Sequence, residues 1–463
     1  MAEITRRQPA RSALELIGNT PMVELTRFET GPCRLFAKLE NQNPGGSIKD
    51  RIGVSMIEAA EREGRIKPGD TIIEATAGNT GLGLAQAGVL KGYHVLLIVP
   101  DKMAREKIQH LRALGAEVRI TRSDVGKGDP EYYQDMAERL AAEMGAWYVN
   151  QFANPANPRA HEETTGPEIW EQMDHDLQAI VLGVGSGGTL TGIGRFLRRM
   201  QPNIQIVLAD PEGSILAPYV RTGEMVKAGS WTAEGIGEDF IPSNADMSLV
   251  SRAYSISDRE AVEAARMLLA KEGILAGSSS GTLLAAALKY CREQTTPQRV
   301  VTLIPDSGNK YLSKIYNDIW VLEQGLADRE LHGDLRDLIA RRFDRGGTVT
   351  VGPSDTLLIA YNRMRDADVS QLPVIENSNV VGILDESDIL AFVEGADEGR
   401  AERFRARVDA AMTRDLHTMQ VSDRLDALRR LFERNEVAIV LDGPKFVGLI
   451  TRVDLLNHLR KNS

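Results

Sequence analysis

Short apolar runs that alternate with helix-period segments restrict how this chain can fold more than any other feature. The runs are 71–74, 95–99, 118–120, 179–182, 206–208 and 300–304, and helical spacing marks 104–114 and 258–272. Runs this apolar bury both faces of a strand. Strands that alternate with helices build parallel sheets with helices on either side. The expected class is therefore α/β. Ligands of such sheets bind beyond the carboxyl ends of the strands, and the glycine-rich segments of this sequence fall there.

A different pattern follows. The stretch 326–344 is highly charged and is expected to be a helical linker. Beyond it, Val349-Thr350-Val351-Gly352-Pro353-Ser354-Asp355 is echoed by Thr418-Met419-Gln420-Val421-Ser422-Asp423. Gly382-Ile383-Leu384-Asp385-Glu386-Ser387-Asp388 is likewise echoed by Gly448-Leu449-Ile450-Thr451-Arg452-Val453-Asp454. One such unit alone buries little core. Residues 345–463 thus read as a pseudo-symmetric pair of small α/β units behind a larger domain at 1–325.

The 463 residues carry a net charge of -10, which argues against nucleic acid or an anionic membrane as the main partner. No apolar run reaches the ~18 residues of a membrane span. The start, Met1-Ala2-Glu3-Ile4-Thr5-Arg6-Arg7, has no apolar signal core. Cys33 and Cys291 fit neither a metal site nor a redox pair, and reduced thiols suit the cytoplasm. A cytoplasmic protein is expected.

The run Pro44-Gly45-Gly46-Ser47-Ile48-Lys49-Asp50-Arg51 singles out Lys49. Its glycine pair lets a flat ligand approach the backbone. Ser47 and Asp50 have the spacing of an N-cap and its capping-box acid, opening a helix that ends near Gly64. A lysine in the first turn meets the positive end of the helix dipole. That lowers its pKa and favours the neutral amine, the form that attacks a carbonyl. The chemistry suggested is a Schiff-base lysine holding pyridoxal phosphate; for Lys49 alone, a solvated surface lysine is the commoner explanation.

Gly183-Val184-Gly185-Ser186-Gly187-Gly188-Thr189 follows a strand and precedes a helix. Backbone N–H groups at such a turn suit a phosphate, and no lysine follows as it would in a P-loop. The segment also matches G-x-G-x-x-G, with Asp210 about 20 residues on, where a dinucleotide site places its ribose-binding acid. A nicotinamide-dependent oxidoreductase is therefore a rival, as is a tight turn with no ligand. Glu74-Ala75-Thr76-Ala77-Gly78-Asn79-Thr80-Gly81 can hold an amino-acid carboxylate or merely cap a helix. In Gly277-Ser278-Ser279-Ser280-Gly281, ahead of a helix expected over 283–291, a serine hydroxyl can meet a ring nitrogen or act as N-cap.

Together with Gln151-Phe152-Ala153-Asn154-Pro155 and Gly235-Ile236-Gly237, these segments resemble, in order, a known enzyme family. It is the fold-type II (tryptophan synthase β-like) pyridoxal phosphate enzymes, in the cysteine synthase and cystathionine β-synthase group. The repeated tail resembles a tandem CBS (Bateman) module, and its fusion behind this domain is the arrangement of the cystathionine β-synthases. The resemblance implies that Lys49 carries the cofactor and moves the α-proton, and that Asn79 bonds the ring 3′ oxygen. It implies that Gly185, Ser186, Gly187, Gly188 and Thr189 hold the phosphate, while Ser279 meets the pyridine nitrogen. Thr76, Ala77, Gly78, Thr80 and Gln151 would hold the substrate carboxylate, with Phe152, Gly235 and Gly237 also on the substrate side. The implied reaction is a β-replacement: serine loses its hydroxyl as water and homocysteine adds, giving cystathionine. Hydrogen sulfide from cysteine is a further implied product.

Some positions depart from the family. Ala77 replaces a usual serine. Phe152 stands where cystathionine β-synthases usually carry tyrosine, and it is typical of cysteine synthases (O-acetylserine sulfhydrylases), the alternative activity. Glu238-Asp239-Phe240, Pro100-Asp101-Lys102-Met103 followed by Glu106-Lys107, and the tail favour cystathionine synthesis. Acids near the pocket suit the homocysteine amino group, or are ordinary solvated charges. Haem is not expected, because no cysteine precedes Cys33 and no histidine precedes His94. In the tail, Thr451 and Asp454 match residues that grip a ribose in nucleotide-binding CBS modules. The first repeat has Asp388, but Asp385 in place of threonine. An adenosyl ligand such as S-adenosylmethionine and a ligand-free dimerisation module both fit. The resemblance also implies a homodimer or higher homo-oligomer.

Overall fold

The computed structural model describes residues 9–461 apart from 77, 102, 104, 329, 395–398 and 435. It divides into two compact units, Met1–Val321 and Leu322–Ser463. The strands of the first unit are β1 (Met22–Glu24), β2 (Arg34–Lys38), β3 (Thr71–Ala75), β4 (His94–Pro100), β5 (Glu117–Thr121), β6 (Trp147–Tyr148), β7 (Ala179–Leu182), β8 (Gln205–Pro211), β9 (Arg252–Ile256) and β10 (Arg299–Leu303). One six-stranded sheet runs β1-β2-β10-β7-β8-β9 and is parallel except for the edge strand β1. A second, wholly parallel sheet runs β5-β4-β3-β6. Each apolar run read as a strand lies in one of them. All of β7 is buried, as an interior parallel strand between two helical layers requires.

The helices are α1 (Lys49–Arg62), α2 (Asn79–Lys91), α3 (Arg105–Ala113), α4 (Tyr133–Met144), α5 (Ala156–Ala160), α6 (Gly166–Gln172), α7 (Gly188–Met200), α8 (Leu216–Thr222), α9 (Asp258–Glu272), α10 (Ser278–Arg292) and a short α11 (Asp318–Glu323). The main core packs the larger sheet against Ile169 of α6 and its C-cap Met173, Leu190 and Leu197 of α7, Leu268 of α9 and Leu284 of α10. Helix α9 has the expected bounds because both ends are locally encoded. Ser257 and Glu260 close a reciprocal capping box, and Gly273 takes the left-handed conformation at the other end. Helix α10 begins earlier than expected, at Ser278 rather than 283, so the serine-rich segment is its first turn and not a preceding loop. Burial of Ser278, Ser279 and Ser280 outweighs the weak helix preference of serine.

Helices α1 and α2 approach so closely that only glycine fits between them. A Cβ on Gly53 would lie 2.5 Å from the carbonyl carbon of Gly83, and one on Gly83 would lie 2.6 Å from the Lys49 carbonyl oxygen.

In the second unit the elements are α12 (Leu357–Ala367), β11 (Gln371–Glu376), β12 (Asn379–Asp385), α13 (Glu386–Glu394), α14 (Arg400–Arg403), β13 (Thr418–Gln420), α15 (Leu425–Glu433), β14 (Ala438–Asp442), β15 (Lys445–Ile450) and α16 (Arg452–Lys461). Each repeat contributes an antiparallel hairpin, β11–β12 or β14–β15, and a core of its own. The helix expected over 326–344 is not formed. That segment holds two short 3-10 turns, Leu335–Leu338 and Phe343–Arg345. Its apolar residues Leu335, Leu338 and Ile339 are buried beside Met419, Leu428 and Phe432 of the second repeat. Burying them in that core leaves no free amphipathic helix. No described helix is long and apolar enough to cross a membrane.

Candidate active site

A cleft of about 410 Å³ opens in the first unit beyond the carboxyl ends of β3, β7 and β10. Lys49, Thr76, Asn79, Thr80, Gln151, Phe152, Gly185, Ser186, Gly187, Thr189, Gly235, Gly237 and Ser279 all line it. Gly78 and Gly188 sit behind it as backbone pivots: Gly78 is the N-cap of α2 with φ +114°, and Gly188 opens α7. Ala77 and Lys102 lie outside the described residues.

Lys49 is the first residue of α1. The Ser47 hydroxyl accepts its backbone N–H at 3.3 Å, while Asp50 Oδ2 accepts the N–H of Gly45 at 2.5 Å. Asp50 therefore ties back the glycine turn instead of completing the expected capping box. A Cβ on Gly45 would fall 2.7 Å from Asp50 Oδ1. The far side of the same loop is held by the segment that follows β10: Ile48 N–H donates to the Pro305 carbonyl at 2.8 Å and Asn41 N–H to that of Ile304 at 3.0 Å. Lys49 Nζ donates to Ser186 Oγ at 3.3 Å. Its pKa is pushed down to about 8, and burial is the leading cause, opposed by Glu238. Desolvation, rather than the helix dipole expected from sequence, disfavours the ammonium form.

The segment after β3 wraps around Thr76, whose Oγ1 accepts the N–H groups of Gly78 at 3.0 Å and Gly81 at 3.2 Å. Thr80 donates to Gln151 Oε1 at 2.6 Å, and Gln151 Nε2 donates to the Ala75 carbonyl at 3.2 Å. Hydroxyls, an amide and the opening N–H groups of α2 thus converge on one corner of the cleft, a donor set suited to a carboxylate.

The opposite wall is a glycine cradle at the N-terminus of α7. Gly187 caps that helix with φ +85°. Side chains cannot be added here: a Cβ on Gly185 would meet the Gly235 carbonyl oxygen at 2.4 Å, and one on Gly188 would meet Asn157 Oδ1 at 1.9 Å. Ser186 Oγ also accepts from Asn157 Nδ2 at 2.9 Å, and Thr189 Oγ1 lies 3.2 Å from His161 Nε2. The other ring nitrogen of His161 is 2.9 Å from Thr165 Oγ1. Burial holds His161 well below the ordinary histidine range, so it stays neutral beside Lys49. A helix N-terminus with two hydroxyls beside a buried amine fits a phosphate and an aldehyde carried on one small molecule.

Ser279 enters the cleft from the first turn of α10, while Ser278 Oγ accepts the N–H of Glu234 at 3.0 Å. Phe152 tilts against Phe240, 5.5 Å between ring centres, with Glu238 and Asp239 also on the cleft wall. The rival dinucleotide reading fails on Asp210. This buried acid accepts the N–H of Ala217 at 2.7 Å and fastens the start of α8; it does not line the cleft. Desolvation pushes it up to about 6, where a ribose-binding carboxylate would be exposed to its ligand.

Sequence reasoning missed a buried network behind the cleft. Asp306 Oδ2 accepts from Asn79 Nδ2 at 2.7 Å and from the Tyr311 hydroxyl at 2.7 Å. Lys107 donates to Tyr311 and to Glu234, both at 2.8 Å. The available signal was position: Pro305-Asp306-Ser307-Gly308 directly follows β10, at the carboxyl end of a central strand.

In the second unit, Thr451 donates to Asp454 Oδ2 through its hydroxyl at 2.6 Å and its N–H at 2.7 Å. In the first repeat, Asp388 and Asp385 accept each other's backbone N–H groups, at 3.0 and 2.8 Å. The two acids hold equivalent places at the starts of α16 and α13.

The sequence family of pyridoxal-phosphate dependent enzymes matches residues 13–306, and the CBS domain family matches 336–395 and 407–461. The chain is 37% identical over 468 residues to a cystathionine beta-synthase of Oryctolagus cuniculus, covering 96% of this chain and 84% of that protein. It is 34% identical over 495 residues to that of Saccharomyces cerevisiae, covering 97% of each. Among solved structures it is similar to a hydrogen sulfide-producing enzyme from Fusobacterium nucleatum, with 38% identity and a TM-score of 0.62, covering 66% of this chain and 100% of that one.

Proposed function

Because the chain belongs to the pyridoxal-phosphate dependent enzymes, and within them to the cystathionine beta-synthase family, we propose that its cleft joins L-serine to L-homocysteine through the amine of Lys49. The protein is a lyase that performs β-replacement with pyridoxal phosphate. When bound, that cofactor supplies an electron sink for the charge left on the substrate α-carbon.

The chain's own groups do the rest. Lys49 would hold the cofactor through its aldehyde carbon, and its free amine would take the substrate α-proton and later return it. Burial keeps its proton affinity near the working pH, so it can do both. Ser186, Gly187, Gly188 and Thr189, with Gly185, hold the phosphate at the α7 N-terminus. Thr76, Gly78, Thr80 and Gln151 orient the substrate carboxylate, with Ala77 from the same segment, and Asn79 and Ser279 meet the ring. The serine hydroxyl leaves as water, and the homocysteine thiolate bonds to the β-carbon. Glu238 and Asp239, on the cleft wall, receive the homocysteine ammonium group. Phe152 is the one residue that speaks for the cysteine synthase alternative; the curated relatives do not support it.

The Lys49 amine, half-buried in the cleft against Ser186 of the glycine cradle, carries this reading. Protein loaded with pyridoxal phosphate should absorb visible light, change its spectrum on serine addition, and release cystathionine when homocysteine follows. Lys49→Ala should do none of these. A colourless wild type, or cystathionine made by Lys49→Ala, refutes it.

The reading extends to the tail and the assembly. Thr451 and Asp454 would grip the ribose of an adenosyl compound, with Asp388 marking a second, weaker place. A cytoplasmic homodimer is proposed from the family resemblance, and the two buried free thiols suit a reducing compartment.

A further inference from the structure

The Asn79 amide has an oxygen and a nitrogen of nearly equal shape, so its neighbours decide which way it faces. Two of them do. Asp306, a carboxylate that only accepts, takes an N–H from Asn79 Nδ2 at 2.7 Å. Lys310, an ammonium that only donates, gives a hydrogen to Asn79 Oδ1 at 3.0 Å. A flipped amide would set acceptor against acceptor and donor against donor. The other two hydrogens of Lys310 go to the carbonyls of Gly45 at 3.0 Å and Gly46 at 3.2 Å, which uses all three. Lys310 is 6% exposed and thus bridges the turn before Lys49 to the head of α2 from beneath. Gly46 sits against Lys310 at φ +75°, a left-handed conformation that favours glycine, although a Cβ there would stand at an ordinary 3.6 Å from the Lys310 amine. Burial pulls the Lys310 pKa down to about 8, and Lys107 adds to this; Asp306 and Asp50 oppose it. His110 also feels its charge.

We propose that Lys310 is a positioning residue for the cofactor: it locks the Asn79 amide so that an N–H, never the carbonyl oxygen, faces the 3′ oxygen of pyridoxal phosphate. This rests on the reading that Asn79 meets that oxygen. One Asn79 hydrogen is committed to Asp306, and the second serves the cofactor. A donor at the 3′ oxygen favours its anionic form, which absorbs in the visible. Without Lys310, Asp306 alone orients the amide; the amide oxygen, having lost its donor, turns inward more often and favours the protonated form, which absorbs in the near ultraviolet.

The test uses full-length wild type, Lys310→Met and Lys310→Arg, each loaded with pyridoxal phosphate. The readouts are the visible to near-ultraviolet absorbance ratio and the cofactor dissociation constant. Lys310→Met should lower the ratio and weaken binding roughly tenfold or more, and Lys310→Arg should restore both. A Lys310→Met protein with wild-type ratio and affinity overturns the proposal. So does a Lys310→Arg protein as impaired as Lys310→Met. Should Lys310→Met fail to fold by circular dichroism, Lys310→Leu, which likewise has no donor, carries the same expectation and the same refutation. A wild type that never acquires colour instead refutes the Asn79 and Lys49 reading beneath it.

Discussion

Replacing Gly83 with alanine should reduce turnover far more than stability, because the new methyl group points at the backbone of Lys49, the residue proposed to carry the cofactor. Its Cβ would stand 2.6 Å from the Lys49 carbonyl oxygen and 3.1 Å from Asp50 Cα. Regaining an ordinary 3.4 Å contact moves the start of α1 by about 0.8 Å. Overpacking of this kind costs about 1–3 kcal/mol. Alanine recovers about 1 kcal/mol as the better helix former. The net loss is then ~0–2 kcal/mol, a few degrees in melting temperature for a unit of this size. Catalysis is less forgiving, since a ~1 Å misplacement of a reacting group costs on the order of 100-fold. Melting curves and kcat/KM for cystathionine formation, measured on the same preparation, separate the two effects. A folded Gly83→Ala protein with kcat/KM within about threefold of wild type contradicts the geometry. So would a collapse of the melting temperature that accounts for the lost activity.

Other expectations follow from single groups. The Lys49 pKa is lowered, so the neutral amine predominates above about 8. Cofactor uptake by the cofactor-free protein, followed by absorbance, should rise with pH and level off there. A rate still climbing towards the ordinary lysine value of 10.5 would show that burial does not tune this amine. Asp210→Ala removes the acceptor at the start of α8. It should cost about 1–3 kcal/mol in denaturant unfolding with cofactor loading unchanged; lost loading at unchanged stability would restore the dinucleotide reading. S-adenosylmethionine should raise the melting temperature of the wild type, less so that of Thr451→Ala, and an indifferent wild type at saturating ligand excludes the adenosyl site.

What could be read from sequence was what is encoded locally. Helix α9 carries its own start and stop in Ser257, Glu260 and Gly273, and its bounds matched. Asn79 and Ser186 reached the cleft because each lies just past the carboxyl end of a strand, and Lys49 and Ser279 because each lies in the first turn of a helix that opens onto it. The rest depended on distant partners. Nothing near Lys310 in sequence announces that its amine bonds Gly45, Gly46 and Asn79. Charge density around Leu335 and Leu338 suggested an exposed helix, yet the apolar minority decided the outcome by entering a core. The lowered Lys49 pKa was anticipated with the wrong cause, because burial is a property of the assembled cleft and the dipole of a single helix.

The pairing of Arg34 with Arg299 has a consequence for biosynthesis. At ~5–20 residues per second, a ribosome takes roughly 10–50 s to deliver β10 after β2 has emerged. Until then the nascent chain displays an open strand edge, a template for unwanted association. The loop bearing Lys49 also lacks its anchor at Pro305. Translation products that end before β10 should therefore be adhesive as well as inert, and newly made protein should lean on chaperones until that strand has emerged.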